Sequence, residues 1–239
     1  KGGGVMFEYL SGLFTSEILI YLMRGFAITL RVAAIAIVLS IIIGTVLGLV
    51  RAYAPKPLRM LAGAYIEWFR NTPNLLWVMV CYIAAPLPSD WARCTMAYVL
   101  FTSAMMAEIV RGGLNSIPKG QFEAAHSQGF TMIGTLRYII LPQCFKRIVP
   151  TMLSQVITVV KDTSFMAQVA VAGLLFRTKN LMSIFYNVVG RQITAADVFL
   201  LFGFAMLLYF IVNFTLSCVV RYLQKRNSSG IRKVSAANK

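Results

Sequence analysis

Long apolar runs separated by short polar and basic stretches make up most of the chain. As a helix, about 20 consecutive apolar residues cross the hydrocarbon core of a bilayer. Five stretches reach that length, at residues 26–50, 61–85, 91–114, 148–176 and 198–220. The second carries Glu67, Arg70, Asn71 and Pro73 in its first half. This predicts a shallow or kinked entry, because proline lacks the backbone N–H and its ring clashes with the preceding turn. The fourth is interrupted by Lys161, Asp162, Thr163 and Ser164. In the first, Gly44 and Gly48 form a small-residue step that lets a second helix approach closely, with packing inside the chain as its simplest use. Residues 86–90 predict a short turn, and 177–196 a polar segment carrying a short helix.

The pattern predicts an all-α polytopic membrane protein of about five transmembrane helices. Composition agrees: 58% of residues are hydrophobic and only 13% charged, with mean hydropathy +0.72, where a soluble domain carries about a quarter charged residues. The net charge of +15 would suit nucleic acid, but the Lys and Arg residues lie in short clusters beside apolar runs. That is the positive-inside pattern, and nucleic-acid binding drops out. With the polar stretch after the third span on the cytoplasmic side, fifteen of the 23 Lys and Arg residues fall inside, seven outside and Lys161 within the membrane. An outside N-terminus and a cytoplasmic C-terminus follow, in a bacterial cytoplasmic membrane. The expected boundaries are an N-terminal segment 1–17, a transmembrane domain 18–220 with a polar loop at 116–147, and a basic tail 221–239 expected to be disordered. No cleavable leader is expected, because the first long apolar run exceeds the length of one. Residues 1–5 read as a cloning scar or a truncation point, with Met6 a candidate start. Cys81, Cys94, Cys144 and Cys218 have no metal-binding spacing and read as small packing residues.

The polar loop holds the most specific pattern, QFEAAHSQGFTMIGTLRYIILP over residues 121–142. Residues 121–128 predict a two-turn helix whose Ala124 and Ala125 leave its surface low enough for another protein to approach. Gly129 is placed to end that helix in the left-handed conformation, where only glycine is free of steric cost. A second helical stretch is expected to end at Leu141 and Pro142. Glu-Ala-Ala, three residues, Gly, nine residues and Ile-x-Leu-Pro together resemble the EAA loop of permeases in ATP-binding-cassette (ABC) importers. The resemblance implies the type I ABC importer permease fold, with this loop as a cytoplasmic coupling helix seated on an ATPase. Gln121, Glu123, Ala124, Ala125, Gly129, Leu141 and Pro142 would then carry the coupling.

Other segments are similar to the polar amino acid branch of these permeases. Gly25, Thr29 and Leu30 match its G-x-x-x-T-L opening, Phe69 to Pro73 its F-R-x-T-P step, and Glu108 to Gly113 its E-I-x-R-G-G. Ile117 to Gln121 match the lead-in to the loop, Leu141, Pro142, Gln143 and Pro150 its exit, and Lys161 to Ser164 the K-D-T-S element. Ser103-Ala104-Met105 departs from the branch, in which an aromatic residue often follows Ser-Ala.

A charge at mid-bilayer costs at least about 2.5 kcal/mol on insertion scales, so it usually faces a cavity or a partner. Lys161 and Asp162 are the most interior charged pair, and Thr163 and Ser164 add hydroxyls. An acid and a base complement the ammonium and carboxylate of a free amino acid, which makes these four the candidate substrate-binding residues. Asp162 would meet the amino group or a cationic side chain, Lys161 the carboxylate. The alternative use of the pair is an internal structural ion pair. Glu108 and Arg111 stand three residues apart on one helix face and read as support for the loop, while Arg70 reads as an interface anchor or gate. His126, the single histidine, reads as a surface contact.

The chain contains no G-x-x-x-x-G-K-[ST] phosphate loop, no H-E-x-x-H and no G-x-S-x-G. The expectation is therefore a transport subunit, not an enzyme, with no cofactor of its own. The resemblance implies its partners: cytoplasmic ABC ATPase subunits, a second permease chain, identical or related, and an extracytoplasmic amino-acid-binding protein. The cargo implied is a polar amino acid such as glutamine, glutamate or a basic one. An ion-coupled secondary transporter or channel is the rival reading, which leaves the loop unexplained.

Overall fold

A computed structural model describes residues 12–237, with side chains through Lys225. The expected start at Met6, the first eleven residues of the N-terminal segment and Lys239 lie outside the described residues. The chain forms α1 (Ser16–Tyr53), α2 (Lys56–Arg70), α3 (Asn74–Ala84), α4 (Asp90–Asn115), α5 (Lys119–Ser127) and α6 (Met132–Thr135). A π-helical turn (Leu136–Ile140), α7 (Leu141–Asp162) and a 3₁₀ stretch (Thr163–Val169) follow. Next come α8 (Leu174–Ser183), α9 (Phe185–Val189) and α10 (Ala195–Ala237). The described residues contain helices and no strand, as an all-α polytopic protein requires.

Four helical stretches among the described residues are long and apolar enough to cross a membrane: Ser16–Tyr53, Asp90–Asn115, Met132–Ser183 and Ala195–Lys225. The expected span at 61–85 is instead two helices. α2 stops at Arg70, where Asn71 donates its backbone N–H to Glu67 O, and α3 restarts after Pro73. The 11 residues of α3 reach only about 16 Å at 1.5 Å per residue, short of the roughly 30 Å core. A second correction concerns Pro142, which ends no helix. It occupies the first turn of α7, and the wider π turn before it, in which Leu141 N–H bonds Leu136 O, accommodates a residue without an N–H. A third concerns the tail: α10 continues unbroken past Arg221 to Ala237, where disorder was expected.

The fold divides into two compact units. One comprises the chain through Ile35, Leu75–Ala97 and Val160–Asn213. Its core joins Ile18, Leu22 and Phe26 of α1, spaced four apart, to Leu174 and Leu181 of α8, Phe185 of α9, and Leu201 and Ala205 of α10. The G-x-x-x-T opening has a physical reason in this unit. A side chain at Gly25 would meet Gly173 O at 3.0 Å, and Thr29 Oγ1 accepts the N–H of Leu174 at 3.0 Å, capping the first turn of α8. Arg177 then donates to Tyr21 O at 3.2 Å and lies over the Tyr21 ring.

The other unit comprises Ala36–Asn74, Tyr98–Val159 and the chain from Phe214. Its core sets Met106, Val110, Leu114 and Ile117 along α4 and its end against Ile140, Cys144, Ile148, Met152 and Val156. The four-residue spacing puts each set on one helix face. Lipid is as apolar as these side chains, so helices in a bilayer associate through close van der Waals packing. Gly44 and Gly48 supply it on α1: a methyl on Gly44 would lie 2.8 Å from Ser103 O, and one on Gly48 2.8 Å from Ala107 O. The small-residue step packs within the chain, as expected. Cys144 is buried against Gly113, and Cys81 and Cys94 are also buried and free.

Candidate functional site

α5 is a short helix held from below and open above. Phe122 is half-buried in the core around Val110 and Cys144, its ring centroid 6.2 Å from that of Tyr53. Ala125 is 2% exposed. Ala125 therefore faces inward and does not share the outer surface with Ala124, because residues 122 and 125 fall on one helix face. Gln121, Glu123, Ala124, Ser127 and Gln128 are exposed and form the presented ridge.

The end of α5 is fixed by backbone geometry. Gly129 has φ +80°, its N–H bonds His126 O at 2.9 Å, and Phe130 N–H bonds Ala125 O at 3.1 Å. These two bonds and the left-handed residue define a Schellman cap. Thr131 then caps the next turn by accepting from Gly134 N–H at 3.2 Å. Gln143 donates to Gln121 Oε1 at 3.0 Å and ties α5 to α7, and Leu141 packs on the same core. Pro142 is exposed, as is His126.

Above α5 in sequence, Glu108 organises a cluster of charges. Arg111 donates through Nε to Glu108 Oε2 at 2.9 Å and through Nη2 to Oε1 in a close contact, a two-pronged pairing. Arg70 Nη1 stands 3.5 Å from Glu108 Oε2. Arg70, itself exposed, is thus an ion-pair partner of Glu108.

Arg70 and Glu108 also line a cavity of about 380 Å³ together with Met105, Ile109, Thr151, Ser154, Gln155 and Thr158. The four polar residues of α7 follow helical spacing and run beside its Cys144–Ile148–Met152–Val156 stripe. They are not among the site residues expected from the sequence, although an i, i+3, i+4, i+7 polar stripe in an apolar helix is a legible signal. Met105, where the sequence departs from Ser-Ala-aromatic, lies in the cavity wall.

The K-D-T-S element lies at the end of α7, where the α-helix tightens into the 3₁₀ stretch. Ala170 closes that stretch with φ 57°. Lys161 is exposed, Asp162 and Ser164 are partly buried, and Thr163 is buried with its hydroxyl donating to Val160 O at 2.6 Å. The Thr163 hydroxyl hydrogen is thereby committed to its own backbone. Among the described residues no group of three His, Cys, Asp or Glu side chains could hold a metal ion.

The architecture so far is a set of apolar helices long enough to span a membrane, a short exposed helix with a fixed cap, and a polar cavity. Residues 40–229 match the family described as binding-protein-dependent transport system inner membrane component, and the chain belongs to that family. It is 37% identical over 222 residues to the probable glutamine ABC transporter permease protein GlnP of Bacillus subtilis, covering 91% of this chain and 98% of that protein. It is 32% identical over 220 residues to the glutamate/aspartate import permease protein GltK of Escherichia coli, covering 87% and 94%. Among solved structures, one titled as an amino acid ABC transporter with histidines superposes with a TM-score of 0.74 at 25% identity, over 88% of this chain and 95% of that one. An inward-facing MetNI methionine ABC transporter shares the fold, with a TM-score of 0.68 at 19% identity over 88% and 99%.

Proposed function

We propose that this chain is the permease subunit of an ATP-driven importer of polar amino acids. The observation that carries the reading is the docking helix, anchored by Phe122 and Ala125, closed by Gly129, and presenting Glu123 and Ala124 outward. Glu123 and Ala124 contact a cytoplasmic ATPase; Gln121, Ala125, Gly129, Leu141 and Pro142 hold the shape of the contact. Nucleotide-driven closure of two ATPase subunits moves the docking helices of two permease chains and switches access to the pathway. An extracytoplasmic binding protein delivers the amino acid. With the 61–85 stretch counted as a fifth crossing, the N-terminus lies outside and the C-terminus in the cytoplasm, supported by the Lys and Arg distribution. The transport domain runs over 18–220 with the coupling loop at 116–147.

The polar cavity beside α7 is the substrate pathway in this reading. Within the K-D-T-S element, Asp162 meets the amino group and Lys161 the carboxylate, and Ser164 adds a hydroxyl. The support is chemical: hydroxyl, amide and charged groups gathered in an otherwise apolar segment. The names of the relatives add glutamine and glutamate as cargo of the kind expected.

The test is reconstitution of the permease with its ATPase in liposomes. Gly129→Pro is expected to insert normally yet lose transport and substrate-dependent ATP hydrolysis; full transport by that variant refutes the coupling assignment. Uptake that survives ATP depletion and collapses with an uncoupler would instead identify ion-coupled transport.

A further inference from the structure

We propose that the first turns of α2 form a binding site for an anionic phospholipid, its phosphate on Lys56 and Arg59 and an acyl chain along Pro57, Met60, Leu61 and Ala64. These four apolar residues and Lys56 line an open groove of about 550 Å³. The site depends on neither the cargo nor the ATPase coupling proposed above, only on the chain lying in a bilayer.

The helix carries two apolar stripes. Ala62, Ile66 and Phe69 are buried against the fold. Pro57, Met60, Leu61, Ala64 and Trp68, at i, i+3, i+4, i+7 and i+11, lie on a second face. All five are exposed, Leu61 by 68% and Trp68 by 63%. From Pro57 to Trp68 this outer stripe runs about 17 Å at 1.5 Å per residue. One leaflet supplies about 15 Å of the hydrocarbon core, so the stripe is as long as one lipid chain is deep.

Charge decides which lipid. No acidic residue occurs between Glu17 and Glu67, while Arg51, Lys56 and Arg59 cluster where α1 passes into α2. Arg51 Nη1 donates to Arg59 O at 3.2 Å, and its guanidinium fills the space that a side chain at Gly63 would take. Arg51 thus fastens α2 to the end of α1. Lys56 and Arg59 stay exposed, three residues apart on the helix surface. Tyr53, just before them, packs on Phe122, which puts the pair on the α5 side of the membrane. Cations at the membrane boundary beside an apolar groove complement an anionic headgroup and its chain. A second copy of this chain is the poorer occupant. Copies in one bilayer share their depth, so a two-fold contact through this stripe would bring two cationic ends together.

Trp68 on the outer stripe is a built-in reporter. Replacing Trp77 and Trp91 by Phe leaves it the single tryptophan of three. The full chain is reconstituted in phosphatidylcholine vesicles containing brominated phosphatidylglycerol or brominated phosphatidylcholine, and quenching of Trp68 is measured. Each cation near an anionic surface is worth about fivefold in binding, so phosphatidylglycerol is expected to be preferred about fivefold or more. Lys56→Gln with Arg59→Gln is expected to bring that preference below about twofold. Arg59 accepts from Arg51 through its backbone oxygen, so this variant keeps the α1–α2 fastening, and an unchanged melting midpoint shows that it folds. Excess glycerol 3-phosphate is expected to leave quenching unaltered; displacement by it would make a free phosphate the ligand and overturn the lipid site. Equal quenching of the parent by both lipids, or a preference that survives the double substitution, overturns the assignment of the headgroup. Absence of quenching by either lipid means that protein, such as a second copy, covers the stripe, and overturns the site altogether.

Discussion

Phe122 of α5 packs its ring on Tyr53 at the C-terminal end of α1, with centroids 6.2 Å apart and planes tilted by 47°. A helix of nine residues is too short to be stable in water on its own propensity. Its position therefore depends on this contact, on Ala125 beneath it and on the Gln121–Gln143 bond. Phe122→Ala is expected to loosen α5 by about 2 kcal/mol, less than the 3–5 typical of a fully buried phenylalanine. Transport falls severalfold more than basal ATP hydrolysis, because force reaches a helix that gives way. The ratio of transported substrate to hydrolysed ATP in proteoliposomes measures this, and an unchanged ratio refutes the anchoring role.

Gly129 allows a graded test of the cap. At φ +80° an L-residue with a Cβ costs about 1–2 kcal/mol. Nothing lies within 4 Å of where that Cβ would sit, so the cost is conformational and not steric crowding by neighbours. Gly129→Ala is expected to reduce uptake, and Gly129→Asn to keep more of it, since asparagine tolerates the left-handed region. Equal uptake by the two variants would mean that this backbone conformation is not what matters at position 129.

Much of this is legible in the sequence. Gly129 announced its conformation because it stands at the end of a polar helix, and Gly44–Gly48 their role because a small-residue step has one obvious use in a bilayer. The break at Pro73 was also readable, although apolar length alone merged α2 and α3 into one span. Ala125 was misplaced because an alanine fits either face; only its three-residue distance from Phe122 decides the inner one. Pro142 reads as a terminator because proline usually is one, and the π turn that accommodates it leaves no mark in composition. The cavity is hard to read from sequence because Thr151, Ser154, Gln155 and Thr158 are ordinary residues one by one, whereas Lys161 and Asp162 stand out by their charge. Their stripe becomes visible only when polar residues are scored for helical period as apolar ones are.

Crowding of α1 on α4 gives a third prediction. A side chain at Gly48 would meet Ala107 O at 2.8 Å and Val110 Cβ at 2.9 Å. A backbone oxygen cannot step aside as a side-chain tip can. Gly48→Val is therefore expected to destabilise the unit by about 1–3 kcal/mol, the usual range for overpacking. Gly203→Val is the control, since no atom lies within 4 Å of its Cβ position. Melting of the detergent-solubilised protein should separate the two, and equal midpoints would refute the close-packing assignment.

The start of α10 supplies the last prediction. Thr194 and Asp197 bond reciprocally: Thr194 N–H donates to Asp197 Oδ2 at 2.9 Å, and Asp197 N–H to Thr194 Oγ1 at 3.4 Å. This is a capping box with aspartate in the third position, spelled T-A-A-D in the sequence. Arg191 adds two bonds to the same carboxylate at 2.6 and 2.7 Å, and the Asp197 side chain is fully buried while that of Arg191 is 38% exposed. Removing one member of a buried pair costs about 3–5 kcal/mol when the other stays buried. Arg191 can regain water, so Asp197→Ala is expected to cost about 2 kcal/mol, the upper end for a lost helix cap. Raising salt screens exposed pairs far more than buried ones, so the difference in melting midpoint between parent and Asp197→Ala should persist from 0.05 to about 1 M NaCl. A difference that vanishes at high salt would show instead that the pair acts as a surface ion pair and that the cap contributes little.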